Sequence, residues 1–225
     1  MRQPIFSMMN KTRRNEPLIE KILSELDLTL RTLFPAPQRF CARPNPGLNF
    51  NDDNFVAHNK LTVGKLMRVN HAGEICAQAL YQGHSLTAQN QSIKKQMADA
   101  AADEVDHLAW CEQRLAELNT NRSLCNPLWY AGSLLIGMAA GLAGDRWSLA
   151  FVAETEKQVS AHLADHLTKI PTNDHKTIAI VKQMQADETK HAKDAHNAGA
   201  ADLPLFIKKI MQTTAKIMTI TSYYL

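Results

Sequence analysis

The sequence lacks the features that mark several large classes of protein. Its four cysteines, Cys41, Cys76, Cys111 and Cys125, are widely spaced and form no Cys-x-x-Cys pair. In a chain of 225 residues this pattern indicates reduced thiols in a cytosol-facing protein and argues against a disulfide framework. The formal net charge is only +3, and the basic residues form no stripe. We therefore expect no nucleic-acid partner, because such binding usually needs a basic surface.

Long apolar segments are also missing. The longest uncharged run, Leu128 to Gly144, falls short of the roughly 20 residues that a helix needs to cross hydrocarbon. Near the N-terminus, the apolar stretch from Ile5 to Met9 is too short and too interrupted to form the core of a secretory signal. We predict that the chain does not cross a membrane, which leaves open that it lies on the surface of one.

What the sequence does contain is helical periodicity. Four apolar seams with steps of three and four residues run through residues 63–81, 93–115, 149–170 and 181–198. These are the spacings of core-facing positions in antiparallel bundles. Residues 119–127 form the break between the two halves of the bundle. Because no segment alternates with period two, we predict an all-α fold built on a four-helix bundle.

Weaker signals flank the four seams. An amphipathic helix is predicted from Glu16 to Leu33, and a last helix from near Asp202 to Leu225. Residues 35–59 are rich in proline and polar residues, which predicts a long loop over the surface of the domain. The length fits one domain. We assign residues 61–225 to the bundle and residues 1–60 to a peripheral segment of the same domain.

Two copies of Asp-Glu-x-x-His carry the candidate chemistry, at residues 103–107 and 187–191. A Glu and a His three residues apart lie on one face of a helix, so both side chains can reach the same metal ion. Each copy follows, by about thirty residues, a single glutamate in an apolar seam. Four carboxylates and two imidazoles from four helices are the ligand set of a di-iron carboxylate centre. The predicted metal ligands are Glu74, Glu104, His107, Glu156, Glu188 and His191.

Each of these glutamates stands where its seam predicts an apolar residue. Burial of an ionised carboxylate is costly, so the group must be neutralised, paired or bound to metal. A site rich in carboxylates and without thiolate suits iron or manganese better than zinc or copper(I). The aspartates that begin the two motifs, Asp103 and Asp187, are candidates to hold the second ring nitrogen of a ligand histidine.

The third seam offers two glutamates, Glu154 and Glu156, on nearly opposite faces of its helix. Glu156 lies on the apolar face, whereas we expect Glu154 to face water. Glu156 also precedes Glu188 by 32 residues, close to the 30 that separate Glu74 from Glu104. We therefore predict Glu156 as the ligand.

The other histidines give weaker signals. His71 lies one turn before Glu74, and the pattern fits a role beside the metal as well as a capping or surface role. His166 continues an apolar seam and is expected to be a core histidine. Four others are expected at the surface, namely His58, His84, His175 and His196.

Five segments carry a resemblance to a known family: Leu66–Glu74, Ala77–Gly83, Asp103–Cys111, Gly144–Leu149 and Asp187–His191. They closely resemble the demethoxyubiquinol hydroxylase family of ubiquinone biosynthesis, in its bacterial branch. The resemblance runs from about residue 60 to the C-terminus. It implies a ferritin-like bundle, with extra N-terminal and C-terminal helices here, that acts as a di-iron monooxygenase. It also implies that O2 is used to hydroxylate the ring of a demethoxylated ubiquinol.

The resemblance further implies a role for each predicted ligand. Two irons would bind per chain, with Glu104 and Glu188 bridging them. Glu74 and His107 would complete one iron site, while Glu156 and His191 would complete the other. No side chain beyond these ligands is expected to act as a catalytic residue, since the metals carry out the oxygen chemistry.

The expected partners follow from a prenylated quinol substrate, which resides in a bilayer. The resemblance implies a peripheral protein of the cell membrane, on the cytoplasmic side. Leu128–Leu142 and the C-terminal helix are the candidate contacts, although packing as core or as an oligomer contact explains them equally well. A reduced nicotinamide is one candidate electron donor. The sequence leaves open whether the chain forms a homo-oligomer or joins a biosynthetic complex.

Two other functions compete with the quinol hydroxylase. One is a different ferritin-like di-iron oxidase or iron-handling protein that uses the same ligands. The other is a membrane-associated quinone-binding or scaffold protein whose carboxylates are structural. The sequence does not determine the length of the prenyl tail, the reductant, the oligomeric state or the role of residues 1–60.

Overall fold

A computed structural model describes residues 17–36, 39–51 and 57–225. These residues form seven α-helices and one short 3-10 helix, and no strand occurs among them. The predicted all-α fold is confirmed. The apolar stretch Ile5 to Met9 lies outside the described residues. The helices are α1 (Leu18–Leu33), α2 (Ala57–Thr87), α3 (Gln91–Glu117), α4 (Asn126–Leu142), α5 (Asp145–Lys169), α6 (His175–Asn197) and α7 (Leu205–Tyr224).

Helix α1 belongs to a compact unit of its own, which ends before residue 38. The helix starts after Pro17 and ends at Leu33, where the backbone of Phe34 leaves the helical conformation. An exposed ion pair between Arg31 and Asp27, one turn apart, lies on its surface. The prediction of a helix from Glu16 to Leu33 is confirmed from Leu18 onward, and Glu16 itself lies outside the described residues.

The second unit contains the bundle, in which the four predicted seams form α2, α3, α5 and α6. Sequence neighbours pair as α2 with α3 and α5 with α6, and the two pairs meet through α3 with α6 and α2 with α5. This arrangement encloses a continuous interior between four helices.

Two apolar clusters fill that interior. The first contains Val63, Leu66, Met67, Trp110, Cys111, Leu115, Leu118, Leu163, Ile170, Ile180, Val181 and Met184. The second contains Ala77, Tyr81, Ala88, Ile93, Met97, Leu149, Val152 and Ala195. Each of the four bundle helices runs from one cluster to the other, and its glutamate lies between them. The predicted ligands therefore occupy a polar layer between two apolar ones.

Helix α4 was not predicted as an element of the bundle. Along the chain it connects the first helix pair, α2 and α3, to the second, α5 and α6. The predicted break ends early, because Asn126 and Pro127 begin this helix, with proline in the first turn. Helix α4 packs along α2, where Gly137 lies against the backbone of Leu80. Glycine allows this close approach because a side chain would occupy the same space. Gly144, with a φ of 106°, then turns the chain into α5.

Residues 39–51 form a surface segment, as predicted, but ion pairs attach it to the bundle. Arg39 donates to both carboxylate oxygens of Glu112 on α3, and Asn45 donates to Gln113. The 3-10 helix Pro46–Asn49 contacts α6. The predicted loop was slightly too long, because α2 already begins at Ala57.

Among the described residues, every helix is too short or too polar to span a bilayer.

The contact between α2 and α4 can be tested with Gly137→Ala. The added methyl group would approach the carbonyl oxygen of Leu80 more closely than real Cβ atoms do, so the two backbones must separate. We expect the free energy of unfolding to fall by about 1–3 kcal/mol, measured by urea denaturation. Gly132→Ala is the matched control in the same helix, because nothing lies within 4 Å of its Cβ. It should raise stability by about 0.5–1 kcal/mol. Equal effects of the two substitutions would contradict the proposed backbone contact.

Candidate metal centre

The structure brings all six predicted ligands into the interior of the bundle. Each comes from the helix that the sequence assigned to it, and the exposed fraction of every one is 6% or less. Glu74 lies on α2, Glu104 and His107 on α3, Glu156 on α5, and Glu188 and His191 on α6.

Four of these residues form a compact group around His107. Its Nδ1 lies 3.1 Å from Glu104 Oε2, 3.2 Å from Glu188 Oε1 and 3.5 Å from Glu74 Oε2. One potential ligand atom from each of the four residues lies within 4.8 Å of the others. The group has the donor atoms and the spacing that could hold a metal ion.

Glu156 and His191 lie beside this group. His191 Nδ1 is 3.4 Å from Glu188 Oε2 and 3.6 Å from Glu104 Oε1. Glu156 accepts a hydrogen bond of 2.6 Å from the hydroxyl of Tyr81 and interacts electrostatically with Glu188. Glu104 and Glu188 thus each face both histidines, with one carboxylate oxygen toward His107 and the other toward His191.

The donor atoms of the site fit a cation. Several buried atoms have no hydrogen-bond partner among the described residues, although each such group is costly to bury. Oxygen donors with a minority of imidazole nitrogens match the preferences of iron and manganese. The atoms without a partner are Glu104 Oε1, Glu156 Oε2, both carboxylate oxygens of Glu188, and His191 Nδ1.

The carboxyl groups of the site differ in the direction in which their surroundings shift their pKa values. Burial, together with the negative charge of Glu188, raises the pKa values of Glu104 and Glu156 well above their usual range. Burial would also raise the pKa of Glu188, but contacts with His107 and His191 lower it instead. These carboxylates therefore need protons or positive charge close by, and a bound metal cation would supply that charge.

The two aspartates hold the histidines in a crossed arrangement. His107 Nε2 lies 2.9 Å from Oδ2 of Asp187, and His191 Nε2 lies 3.1 Å from Oδ2 of Asp103. Burial would lower the pKa of His191, but its contact with Asp103 raises that pKa to about 10. The predicted contact between these aspartates and the histidines is confirmed, and each aspartate holds the histidine of the other motif. When Nε2 donates to an aspartate, Nδ1 faces the glutamates and a metal.

Comparison with known proteins gives the family. Residues 62–222 match the family model described as ubiquinone biosynthesis protein COQ7. The chain belongs to this family. The resemblance to the demethoxyubiquinol hydroxylases is thereby confirmed.

Curated relatives of the COQ7 family are similar over nearly their whole length. A 3-demethoxyubiquinol 3-hydroxylase of Legionella pneumophila strain Paris is 56% identical over 212 residues, which cover 94% of this chain and all of the relative. Proteins of the same name from Polynucleobacter necessarius and Nitrosospira multiformis are 51% and 49% identical. Those alignments cover 91% and 92% of this chain and 98% and 99% of the relatives.

The structure separates the two glutamates of α5, as their helix faces and their spacing from Glu188 predict. Glu156 lies in the polar layer, whereas Glu154 accepts a hydrogen bond from Gln158 and lies 3.6 Å from Lys208 on α7. The expectation that Glu154 faces water was wrong, because Gln158 and Lys208 cover it and only 8% of it is exposed. A helical wheel of α5 could not predict the burial of Glu154, because Lys208 belongs to α7, which is distant in sequence.

One histidine assignment was also wrong. His84, expected at the surface, is fully buried, and its Nδ1 lies 2.6 Å from the hydroxyl oxygen of Ser148. Burial lowers the pKa of His84 to about 4. His71 is buried beside Glu112 and Asn126. His166 is a core histidine as predicted, and its ring packs against that of His162 in a tilted arrangement.

Two contributors to the site were not identified from the sequence. Tyr81 was assigned only to an apolar seam. Nothing in the sequence indicated that its hydroxyl contacts Glu156, except that both residues lie on core-facing positions of their helices. Arg43 lies in the loop segment and reaches Asp103, Asp106 and Asp187. An arginine among prolines gives no local sign of such contacts.

Glu156→Gln tests the predicted ligand set. We expect the purified variant to bind at most about half of the iron that the unmodified chain binds, which should be about two ions per chain. The amide keeps the size of the side chain but removes its negative charge. The measurement is iron content by elemental analysis after loading with iron(II). Glu154→Gln is the matched control on the other face of α5 and should keep full iron content. Loss of iron in both variants, or in neither, would contradict the assignment of Glu156.

Proposed function

We propose that this chain is a 3-demethoxyubiquinol 3-hydroxylase, a di-iron monooxygenase that uses O2 in ubiquinone biosynthesis. The single observation that supports this function most is the buried layer of four glutamates and two histidines in a chain of the COQ7 family. The names of the curated relatives support the substrate. They do not favour a different di-iron oxidase, an iron-handling protein or a scaffold.

In this proposal, Glu104 and Glu188 would each be ligands of both irons. Glu74 and His107 would be further ligands of one iron, and Glu156 and His191 of the other. The contacts of Glu104 and Glu188 with both histidines support their shared role, and the contact of Glu74 with His107 supports the assignment of these two residues to one iron. When bound, the irons would supply the activation of O2 for ring hydroxylation, with two electrons from a reductant.

The residues of the chain supply position and a dry environment. Asp103 and Asp187 fix the histidine rings, and Tyr81 holds the carboxylate of Glu156 by donating its hydroxyl proton. The two apolar clusters exclude water on either side of the polar layer. A cleft of about 320 Å³, whose lining includes Tyr81 and His191, gives small molecules a route to the site.

We also propose that the chain lies on the cytoplasmic side of the cell membrane, because a prenylated quinol resides in the bilayer. One side of α7 carries an apolar stripe whose members are three, four or seven residues apart. The members of the stripe are more than half exposed: Phe206, Ile210, Ile217, Ile220 and Tyr224. Lys209 and Lys216 are exposed beside it and would suit anionic headgroups. Lys208, in contrast, faces Glu154.

Helix α4 offers a second exposed apolar surface, formed by Leu128, Leu135 and Leu142. The other face of α4 packs on α2, and so does α7. We propose that these two surfaces contact lipid. A reduced nicotinamide remains our candidate electron donor, and a homo-oligomer or a biosynthetic complex our candidate assembly.

Membrane association predicts a specific effect of Ile217→Glu. The substitution places a charge on the apolar stripe, so binding to vesicles that contain anionic phospholipid should weaken by about tenfold. Co-sedimentation of the purified full chain with vesicles measures the affinity. Gln212→Glu adds the same charge at an exposed position outside the stripe and should bind nearly as well as the unmodified chain. Equal binding by all three proteins would remove the support for a lipid contact at α7.

The enzymatic proposal predicts that Glu188→Ala abolishes ring hydroxylation and metal loading together. Product formation from a demethoxylated ubiquinol is followed by mass, with a chemical reductant and O2. Oxygen uptake should depend on the quinol, whereas an iron-oxidising protein would consume O2 with iron(II) alone. Full hydroxylation by a metal-free preparation would eliminate the proposal, and so would unchanged quinone composition in cells that carry only the variant.

A further inference from the structure

Arg43 lies at the centre of three carboxylates that border the metal site. Its Nε is 2.8 Å from Asp106 Oδ2, and its two terminal nitrogens are 2.8 Å from Asp187 Oδ2 and 3.3 Å from Asp103 Oδ1. The guanidinium also lies over the ring of Trp110, 5.0 Å from the ring centroid. One side chain therefore connects α3 with α6 from outside the bundle.

Two of these carboxylates are the ones that hold the histidines. Oδ2 of Asp187 accepts from both Arg43 and His107. Oδ1 of Asp103 forms an ion pair with Arg43, without a hydrogen bond, and its Oδ2 lies 3.1 Å from His191 Nε2. Each histidine ring is thus linked to the same guanidinium through one aspartate. Because the two links cross between α3 and α6, Arg43 constrains both halves of the site at once.

We propose that Arg43 is a positioning residue for the metal centre, which fixes the rings of His107 and His191 by bridging Asp187 and Asp103. This inference rests on the proposed di-iron site. It gives residues 39–51 a role that the sequence left open. The segment places Arg43 against Asp103 and Asp187, so each aspartate lies between the arginine and a histidine.

The shape of the guanidinium matters for this role. Its planar fork presents several donors in fixed directions, so one group can bind carboxylates on two helices at the same time. A lysine ammonium is a point charge and would approach one aspartate at the expense of the other. Asp187 has a further partner in Gln183, which donates to Oδ1. That neutral amide does not replace the charge of the arginine.

The segment itself is held in place by Asp106. This carboxylate accepts from the backbone amides of Ala42, at 2.6 Å, and Arg43, at 3.2 Å. The backbone of Arg43 also accepts from Trp110 Nε1, at 3.4 Å. These contacts place the stem of Arg43 independently of Asp103 and Asp187, as a positioning role requires.

The test compares Arg43→Met, Arg43→Lys and the control Arg39→Met in the full chain. Methionine keeps the unbranched stem against Trp110 but removes the charge and the donors. Arg39 anchors the same segment by donating to both carboxylate oxygens of Glu112, so its loss reports on docking of the segment. Manganese(II) affinity is measured on metal-free protein by titration, and ring-nitrogen NMR of the same metal-free samples reports the hydrogen bonds of His107 and His191.

We expect Arg43→Met to weaken manganese(II) binding by about tenfold or more, the usual cost of losing a partner of a ligand histidine. Arg43→Lys should lie between that variant and the unmodified chain, and Arg39→Met should stay within about twofold of it. The ring-nitrogen signals of His107 and His191 should shift in Arg43→Met and remain in Arg39→Met. If Arg43→Met does not fold, Arg43→Lys is compared with Arg39→Met and with the unmodified chain in the same two measurements.

Two results would overturn the inference. One is unchanged manganese(II) affinity with unchanged histidine signals in Arg43→Met, or in Arg43→Lys if only that variant folds. The other is an equal loss in Arg39→Met, which would mean that docking of the segment alone matters. The proposed function fails separately, because an unmodified chain that binds two metals without hydroxylating quinol would leave the role of Arg43 intact.

Discussion

The structure depends on the burial of four carboxylates in one layer of a helix bundle. Apolar clusters fill the bundle above and below that layer. An ionised carboxylate in such surroundings needs compensating charge. The two histidines provide part of it, and the oxygens that lack a hydrogen-bond partner show that the described residues do not provide all of it. A metal centre would supply the missing positive charge and would explain why these carboxylates are buried together.

Charge of alternating sign extends outward from this layer. The glutamates face the imidazoles of His107 and His191, the imidazoles face Asp187 and Asp103, and the aspartates face Arg43. Each group is stabilised by the next, so the burial of the glutamates affects contacts as far out as the loop segment. The two motifs are also linked to each other, because each aspartate serves the histidine of the opposite helix. Separate docking of the two helix pairs would leave both aspartates without these partners.

Much of the fold and of the candidate site followed from the sequence, because both rest on local periodicity. The seams located four helices, and the register of Glu156 with its seam distinguished it from Glu154. Contacts between distant segments were not predictable in this way. Helix α4 has apolar residues and glycines on all sides, so periodicity did not show which face is buried. Its partner is evident only from contacts in the structure, such as those of Gly137 with Leu80 and of Gly83 with Leu134. His84 was misplaced for the same reason, since its partner Ser148 lies on another helix.

Helix α2 connects the proposed membrane surfaces with the metal centre. It carries Glu74 and Tyr81 on its inner side, while α4 and α7 pack against it from outside. At Gly137 the packing brings the backbones of α2 and α4 together without intervening side chains, so the positions of the two helices are closely coupled. In the proposed function, a quinol that enters from lipid beside α4 or α7 would meet the helix that also positions Glu74 and, through Tyr81, Glu156. One helix would then set both the distance from the bilayer to the reacting centre and part of the geometry of that centre.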